Sequence, residues 1–143
     1  MWYDLRLCRL QARKPGAFLK LESITNKWRM GMPQIEFSTG RKLTKEQKED
    51  IVKAFGKVIT VLPGKTEPDL MIDIEDDKEL YLGGKRTDGA YINMKMYLNT
   101  PIEDKKNFTE ALFVELEKLG FSKDTIYMTI TGMDHWCVGG TMK

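Results

Sequence analysis

The chain has 143 residues, of which 41% are hydrophobic and 31% are charged, and this composition is typical of one globular domain with a real core. No apolar run approaches the roughly 20 residues needed to cross a membrane. Residues 1–31 carry seven Lys or Arg against two Asp or Glu, whereas residues 32–143 carry 16 against 19. This mildly acidic body argues against nucleic acid as the main partner. Cys8 and Cys137 have no metal-binding or redox spacing, which favours a reducing cytoplasm.

The first 31 residues differ from the rest of the chain. They lack helical or alternating periodicity, and charges interrupt their apolar stretch, which argues against a secretion signal. An organellar leader and a basic tail for acidic surfaces remain open. Residues 28–32 can also be encoded with a purine-rich GGAGG before the Met32 codon, which resembles a bacterial ribosome-binding site. We therefore interpret residues 1–31 as an extension that is either non-native or disordered, with Met32 as the initiator.

The first predicted strand and helix follow directly. A strand is predicted over residues 34–38, because apolar and polar side chains alternate there. Thr44 and Gln47 form a capping box that begins a helix, and Pro63-Gly64 ends it. The apolar stripe of this helix consists of Ile51, Val52, Phe55, Val58, Ile59 and Leu62. A second alternating strand is predicted over residues 70–75.

The same sequence of signals then returns. Residues 91–97 alternate as a third strand, and a second capping box is predicted at Thr100 and Glu103, with Pro101 in the first helical position. Gly120 is the predicted end of this helix. The buried stripe consists of Phe108, Ala111, Leu112, Leu116 and Leu119. A fourth strand is predicted over residues 126–131.

The two halves superpose at a constant offset of 56 residues. The matching landmarks are Thr44 with Thr100, Gly64 with Gly120, Ile74 with Ile130, and Gly83-Gly84 with Gly139-Gly140. This repetition predicts two βαβ units, residues 33–86 and residues 90–143, each with parallel strands and a right-handed crossover helix. The predicted fold class is α/β in the α+β sense, with a four-stranded mixed sheet and two helices on one face. We expect the other face to expose apolar side chains and to be covered by oligomerisation.

A Met-Pro pair followed by two βαβ repeats in residues 32–143 resembles the tautomerase superfamily, and in particular its macrophage migration inhibitory factor-like branch. The most specific matching elements are Met32-Pro33, Gly64-Lys65, Leu82-Gly83-Gly84 and Ile126-Tyr127. The resemblance implies the tautomerase fold and a homotrimer whose sheets surround a solvent channel. It also implies three active sites at the subunit interfaces.

The resemblance implies a set of site residues as well. Pro33 would be the catalytic base, provided that it becomes the N-terminal residue. Lys65 would bind a substrate carboxylate, and Tyr97 stands where a backbone amide helps to bind substrate. Tyr127 matches an aromatic residue supplied by the neighbouring subunit, and Thr129 stands where the family often has Asn. Neither a metal nor a cofactor is implied.

The sequence departs from the family pattern in two places. Met96-Tyr97-Leu98 replaces the Ser-Ile-Gly pattern of strand three, and the chain ends at Lys143 without an aromatic-rich tail. We therefore expect weak activity on the usual aromatic 2-keto acids. Strand three also has no Arg, which argues against dehalogenase or oxalocrotonate chemistry.

Other residues have simpler interpretations. His135 is the only histidine, which excludes a His-based triad or zinc site, and we expect it at the surface. We expect Trp136 to pack at a subunit interface and Cys137 to be a small buried apolar residue. Gly83-Gly84 has no helix after it, which predicts a turn and not a phosphate loop.

These patterns predict a cofactor-independent keto–enol tautomerase for a small, phenylpyruvate-like 2-keto carboxylate. The alternative is a non-catalytic trimeric binding or signalling module on the same scaffold. In that case Pro33 only initiates a strand and Lys65 is a solvated loop lysine. The predicted partners are a small keto or enol acid and further copies of the chain. Neither nucleic acid nor a membrane is a predicted partner, and the predicted location is the cytoplasm.

Overall fold

The computed structural model describes residues 32–142, so the interpretation of residues 1–31 lies outside the described residues. In chain order the elements are β1 (Gln34–Thr39), α1 (Lys45–Val58), β2 (Met71–Glu75), β3 (Tyr81–Leu82), β4 (Lys85–Arg86), β5 (Ala90–Tyr97), α2 (Ile102–Lys118), β6 (Ile126–Met133), β7 (Cys137–Val138) and β8 (Thr141–Met142). Short 3₁₀ turns cover Ile59–Val61, Glu67–Asp69 and Lys123–Thr125.

The main sheet has the strand order β2-β1-β5-β6. The outer pairs are parallel, with Gln34 opposite Met71 and Ala90 opposite Ile126, and the two central strands are antiparallel. Helix α1 connects the first parallel pair and α2 connects the second, and both helices contribute to one buried core. The predicted fold class, with duplicated βαβ units in a four-stranded mixed sheet, is confirmed.

The core lies between the helices and one face of the sheet. In β1 the buried positions alternate with half-buried ones, so Ile35 and Phe37 point towards the helices. Phe55 of α1 and Phe108 of α2 are fully buried against the same face. The alternation seen in the sequence therefore separates the two faces of every strand correctly.

The opposite face of the sheet is polar at its centre, so the expectation of an apolar face was wrong. Asn93 Nδ2 donates to Glu36 Oε2 at 3.1 Å, and Thr129 Oγ1 donates to Asn93 Oδ1 at 3.1 Å. Lys95 Nζ lies 3.9 Å from Glu36 Oε1. Because side chains alternate with period two, the apolar residues of the two central strands are used on the helix side and polar residues remain for the other.

The predicted start of α1 is confirmed. Gln47 N–H donates to Thr44 Oγ1 at 3.2 Å, and Thr44 N–H donates to Gln47 Oε1 at 2.8 Å, which completes the capping box. The α-helical part ends at Val58, earlier than predicted. The 3₁₀ turn Ile59–Val61 continues the chain, and Pro63-Gly64 follows one residue later.

The predicted cap of α2 was wrong. The helix begins at Ile102, its N-cap is Pro101, and no side chain caps it. Asn99 Oδ1 accepts the Thr100 N–H at 3.1 Å and the Lys105 ammonium at 2.6 Å, so Asn99 organises the entry to the helix. At the other end Gly120 has φ +89 and closes the helix as predicted.

The two small hairpins are copies of each other. Gly83 and Gly84 have φ of +60 and +77, and Gly139 and Gly140 have +58 and +75. Two successive positive φ values are typical of type I′ turns, which match the twist of two-residue hairpins. A Cβ on any of these glycines would meet nothing within 4 Å, so the turns need glycine for its backbone freedom. The prediction that Gly83-Gly84 forms a turn is confirmed.

Candidate active site

Three of the predicted site residues gather at one end of the sheet. Strands β1 and β5 are antiparallel with Gln34 opposite Lys95, so Pro33 at the start of β1 and Tyr97 at the end of β5 share this end. Strand β2 also begins here, because Met71 N–H donates to the Pro33 carbonyl at 3.1 Å. Lys65 belongs to the loop that leads from α1 into β2.

Lys65 is buried, with only 6% of its surface exposed. This burial excludes the alternative of a solvated loop lysine. Lys65 lines a cavity of about 300 Å³ with Tyr97 and Leu98. The other residues that line it are Pro63, Asn99, Thr100, Pro101 and Asp104. A cavity of this size matches the lower end of small-molecule sites.

Burial gives the Lys65 cavity an electrostatic preference. Desolvation of the Lys65 amine lowers its pKa from the ordinary value of 10.5, because the charged form loses its hydration. Asp104 is the only other charged residue that lines the cavity among the described residues.

Pro33 is buried and lines a neighbouring cavity of about 310 Å³. Trp136, from the loop after β6, and Cys137, from β7, also line this cavity. Cys137 is exposed, so the expectation that it is buried was wrong: the short β7–β8 hairpin has too little covering structure to enclose it. Met32 precedes Pro33, so the Pro33 nitrogen is an amide in the full chain.

Sequence reasoning missed one functional candidate, Leu98. Its φ is +62, in the left-handed region, where a residue with a Cβ costs about 1–2 kcal/mol. Leu98 N–H donates to the Met133 carbonyl at 2.8 Å, which holds this conformation. A Cβ on Gly132 would lie 3.2 Å from the Leu98 carbonyl oxygen, so β6 approaches closely because it has glycine there. The sequence did contain a signal for this conformation, because Leu98 stands where the family pattern of strand three has glycine.

Tyr127 and Thr129 lie away from the Lys65 cavity. Tyr127 is opposite Tyr91, six residues before Tyr97 on β5, which corresponds to about 20 Å along the strand. Tyr127 is 63% exposed and lines a separate cavity of about 140 Å³ with Tyr91. Thr129 is hydrogen-bonded to Asn93 on the polar face of the sheet, which points away from the helices. One copy of the chain therefore brings neither residue to Lys65.

Two broader searches cover the described residues. Within residues 32–142, no group of three or more His, Cys, Asp or Glu side chains is arranged to hold a metal ion. None of the helices in this part of the chain has the length and apolar character to span a membrane. His135 is exposed in the loop before β7, which confirms the expectation for it.

No protein-family model and no curated protein matches the sequence, but solved structures match the fold. The MIF2 protein of Leishmania major is 19% identical, with 78% of this chain and 97% of that chain covered and a TM-score of 0.72. The macrophage migration inhibitory factor-like protein of Entamoeba histolytica is 20% identical, with 78% and 99% covered and a TM-score of 0.69. The fused 4-OT protein F6, an asymmetric trimer, is 14% identical, with 76% and 94% covered and a TM-score of 0.67. The chain therefore has the fold of the tautomerase superfamily in its macrophage migration inhibitory factor-like form, as the resemblance predicted.

Proposed function

We propose that the chain is a cofactor-independent keto–enol tautomerase that acts on a small 2-keto carboxylate as a homotrimer. The observation that carries this proposal is the buried Lys65 amine in a cavity at the same end of the sheet as Pro33. A buried amine beside a cavity of this size favours a small anion as the ligand. The tautomerase fold supports the same conclusion.

Pro33 is the proposed base in the form of the chain that begins at this residue. A terminal α-amine has a pKa of about 7.7–8.0, and burial lowers such a pKa because it disfavours the charged form. The neutral amine would take a proton from the carbon next to the carbonyl. The protonated amine would then give this proton to the carbonyl oxygen, which yields the enol and restores the neutral amine. General base catalysis of this kind contributes roughly 10²–10⁴ in rate.

Lys65 is the proposed carboxylate partner. Its ammonium would fix the acid group of the substrate, and would stabilise the negative charge that develops as the proton leaves carbon. The cavity excludes much of the solvent around the amine, which strengthens this interaction relative to one at the surface. Tyr97 would supply its backbone amide at the same cavity.

The homotrimer is proposed because the remaining site residues are too distant within one copy. Met133 is the residue of β6 opposite Tyr97, and Tyr127 and Thr129 lie six and four residues before it, so we propose that they join a Lys65 cavity from a neighbouring subunit. The F6 relative is a trimer, which supports this state. Native mass spectrometry measures it directly: we expect three chains per particle, and a monomer would contradict the proposed assembly.

A specific observation favours the alternative of a non-catalytic binding module. Pro33 and Lys65 line different cavities in one copy of the chain. A ligand held by Lys65 would then not reach the Pro33 nitrogen. The scaffold would bind a carboxylate without chemistry at carbon.

Three proteins separate the two functions: the chain that begins at Pro33, its Pro33→Gly variant, and the full chain, in which the same nitrogen is acylated. The chain from Pro33 retains every element of the described fold. We expect it to interconvert the keto and enol forms of phenylpyruvate at least about 100-fold faster than the full chain, with the Gly variant between them. Absorbance of the enol follows the reaction. Equal rates in all three proteins would favour the binding module.

A further inference from the structure

The acidic charge of residues 32–143 is concentrated in one stretch. Residues 67–79, which run from a 3₁₀ turn through β2 to the loop before β3, carry seven Asp or Glu against one Lys. The other residues of 32–143 carry 12 Asp or Glu against 15 Lys or Arg. The negative sign of this part of the chain therefore comes from residues 67–79 alone, and we call this stretch the acidic edge.

The carboxylates of the acidic edge are accessible from outside the molecule. Six of the seven acidic side chains are exposed, and the seventh is half-buried. Three of them have a basic partner nearby: Asp76 with Lys48, Asp77 with Arg86 and Glu75 with Lys78. Even when these three cations are counted, carboxylates remain in excess, so the surface favours a positively charged partner.

Strand β2 is also the outer strand of the main sheet. Among residues 32–142 its one strand neighbour is β1. Met71 N–H donates to β1, and peptide groups alternate sides along a strand, so those of Ile72 and Ile74 point to the outer side. Such an edge is a template for one more extended segment. The carboxylates around it select a basic segment over an acidic one.

The chain itself contains a segment of this kind at the right place. Residues 1–31 carry seven Lys or Arg against two Asp or Glu, and they lead directly into Met32 and Pro33. The Pro33 carbonyl accepts the N–H that begins β2. A strand beyond β2 would lie two strand spacings from β1, roughly 10 Å, which about three extended residues cross. Most of residues 1–31 can therefore reach the acidic edge.

We propose that the acidic edge is a docking surface for residues 1–31 of the same chain, which add beside β2 as an antiparallel segment in the form that retains them. The direction follows from connectivity. Strands β1 and β2 are parallel and begin at the same end of the sheet, so a segment that enters β1 from beyond β2 runs opposite to β2. The docked segment closes this edge to other chains, and its removal opens the edge. The inference does not depend on the proposed catalysis.

The test is amide hydrogen exchange, measured by NMR on the full chain and on the chain that begins at Pro33. The amides of Ile72 and Ile74 report on the outer side of β2. The amides of β5, which is paired on both sides, report that each protein is folded. In the full chain, Asp73→Lys reverses one exposed charge of β2 and Asp73→Asn removes it. Glu117→Lys is the matched control, because it makes the same reversal on the exposed surface of α2.

We expect the Ile72 and Ile74 amides to exchange at least about ten-fold more slowly in the full chain than in the chain from Pro33. Asp73→Lys should remove most of this protection and Asp73→Asn part of it, whereas Glu117→Lys should retain it.

Three results would overturn the proposal. Equal exchange at β2 in the two unmodified proteins would show that residues 1–31 do not cover the edge, whether it is open in both or covered by a second copy in both. Protection in the full chain that is lost on dilution would assign the edge to a second copy. Protection that survives both Asp73 variants would show that the carboxylates do not select the segment.

Discussion

The 56-residue repeat gives the molecule two cavities at equivalent positions, and the chain uses them in opposite ways. Lys65 and Tyr97 line the first. Their counterparts in the repeat, Phe121 and Arg41, line the second, which measures about 190 Å³. In both cavities the residue after the glycine that follows a helix is buried beside the end of a strand from the other unit.

The residues around the second cavity join the two βαβ units, and we call this group of contacts the joint. The Phe121 ring packs edge-to-face on Phe37 with centroids 5.5 Å apart, and the Arg41 guanidinium lies 4.1 Å above the Phe121 centroid. Arg41 also donates to the carbonyls of Leu119 and Gly120, the two residues that follow α2, at 3.3 and 2.6 Å. The Arg41 guanidinium already binds the carbonyls after α2 and the Phe121 ring, so few of its N–H groups are available to a ligand.

The comparison shows which features come from duplication and which come from single residues. Duplication provides a buried position after each helix and a strand end opposite it. An aromatic residue at this position joins the two units, whereas a lysine leaves an amine inside a cavity. The two cavities therefore differ in function because one equivalent position holds Lys65 and the other holds Phe121.

The largest expected effect is on the joint. Phe121→Ala should lower the free energy of unfolding by about 3–5 kcal/mol, because it leaves a cavity beside Phe37 and removes the platform under Arg41. Urea denaturation followed by fluorescence measures this loss. Val114→Ala is the matched control, since its exposed side chain on α2 should contribute less than about 1 kcal/mol. Equal losses in the two variants would show that the second cavity is not a joint.

The next effect is on the candidate site. Lys65→Met should weaken binding of a 2-keto carboxylate by about 2–3 kcal/mol, or roughly 100-fold, because the charged partner is removed while the volume is nearly kept. Titration calorimetry measures the change. Lys57→Met removes a lysine that pairs with Glu115 on the exposed helix surface, and it should leave binding unchanged. Unaltered affinity in Lys65→Met would show that the Lys65 cavity does not bind the carboxylate through its amine.

The same variant has a pH signature with a defined sign. The pKa of Lys65 is lowered in the folded state by burial, so the unfolded chain holds this proton to higher pH than the folded chain does. The stability of the unmodified chain should therefore rise, relative to Lys65→Met, as pH increases through the lowered pKa towards 10.5. Thermal unfolding of both proteins between neutral and alkaline pH measures the difference. A difference that stays constant with pH would mean that burial does not shift this amine.

Much of the fold could be predicted because its signals are local. The strand alternation, the Thr44 capping box and the paired glycines each depend on residues a few positions apart. The repeat then fixed the topology, because two βαβ units with right-handed crossovers leave few arrangements. Lys65 and Pro33 were found through a family pattern and not through their physical properties.

One feature that escaped prediction depends on contacts between distant segments. The left-handed conformation of Leu98 requires the carbonyl of Met133 and the missing side chain of Gly132, more than 30 residues away. No local sequence rule signals this conformation. The predicted entry to α2 was wrong for a different reason, because Asn99 lies one residue before the predicted Thr100 cap and its side chain, bonded to Lys105, organises the helix entry in place of that cap.

A smaller effect is expected from the cation of the joint. Arg41→Met should cost about 1–2 kcal/mol of stability, because two helix-end carbonyls lose their donor and the ring loses its cation. Chemical denaturation gives the value. The loss of stability in Arg41→Met should depend only weakly on salt concentration, since neither carbonyl acceptor is a charged group. An Arg41→Met variant as stable as the unmodified chain would show that the Phe121 packing alone makes the joint.

The smallest expected effect concerns the backbone strain at Leu98, beside the candidate site. At an ordinary strand position glycine is less stable than alanine, but at φ +62 the order should reverse, because alanine keeps the Cβ that causes the strain. Leu98→Gly should therefore be more stable than Leu98→Ala by about 0.5–1 kcal/mol, a difference of a few degrees in Tm. Differential scanning calorimetry compares the two, and the pair Ile92→Gly and Ile92→Ala, in the middle of β5, should show the usual order. If alanine is the more stable residue at both positions, Leu98 carries no strain, and the wall of the Lys65 cavity is ordinary backbone with a leucine on it.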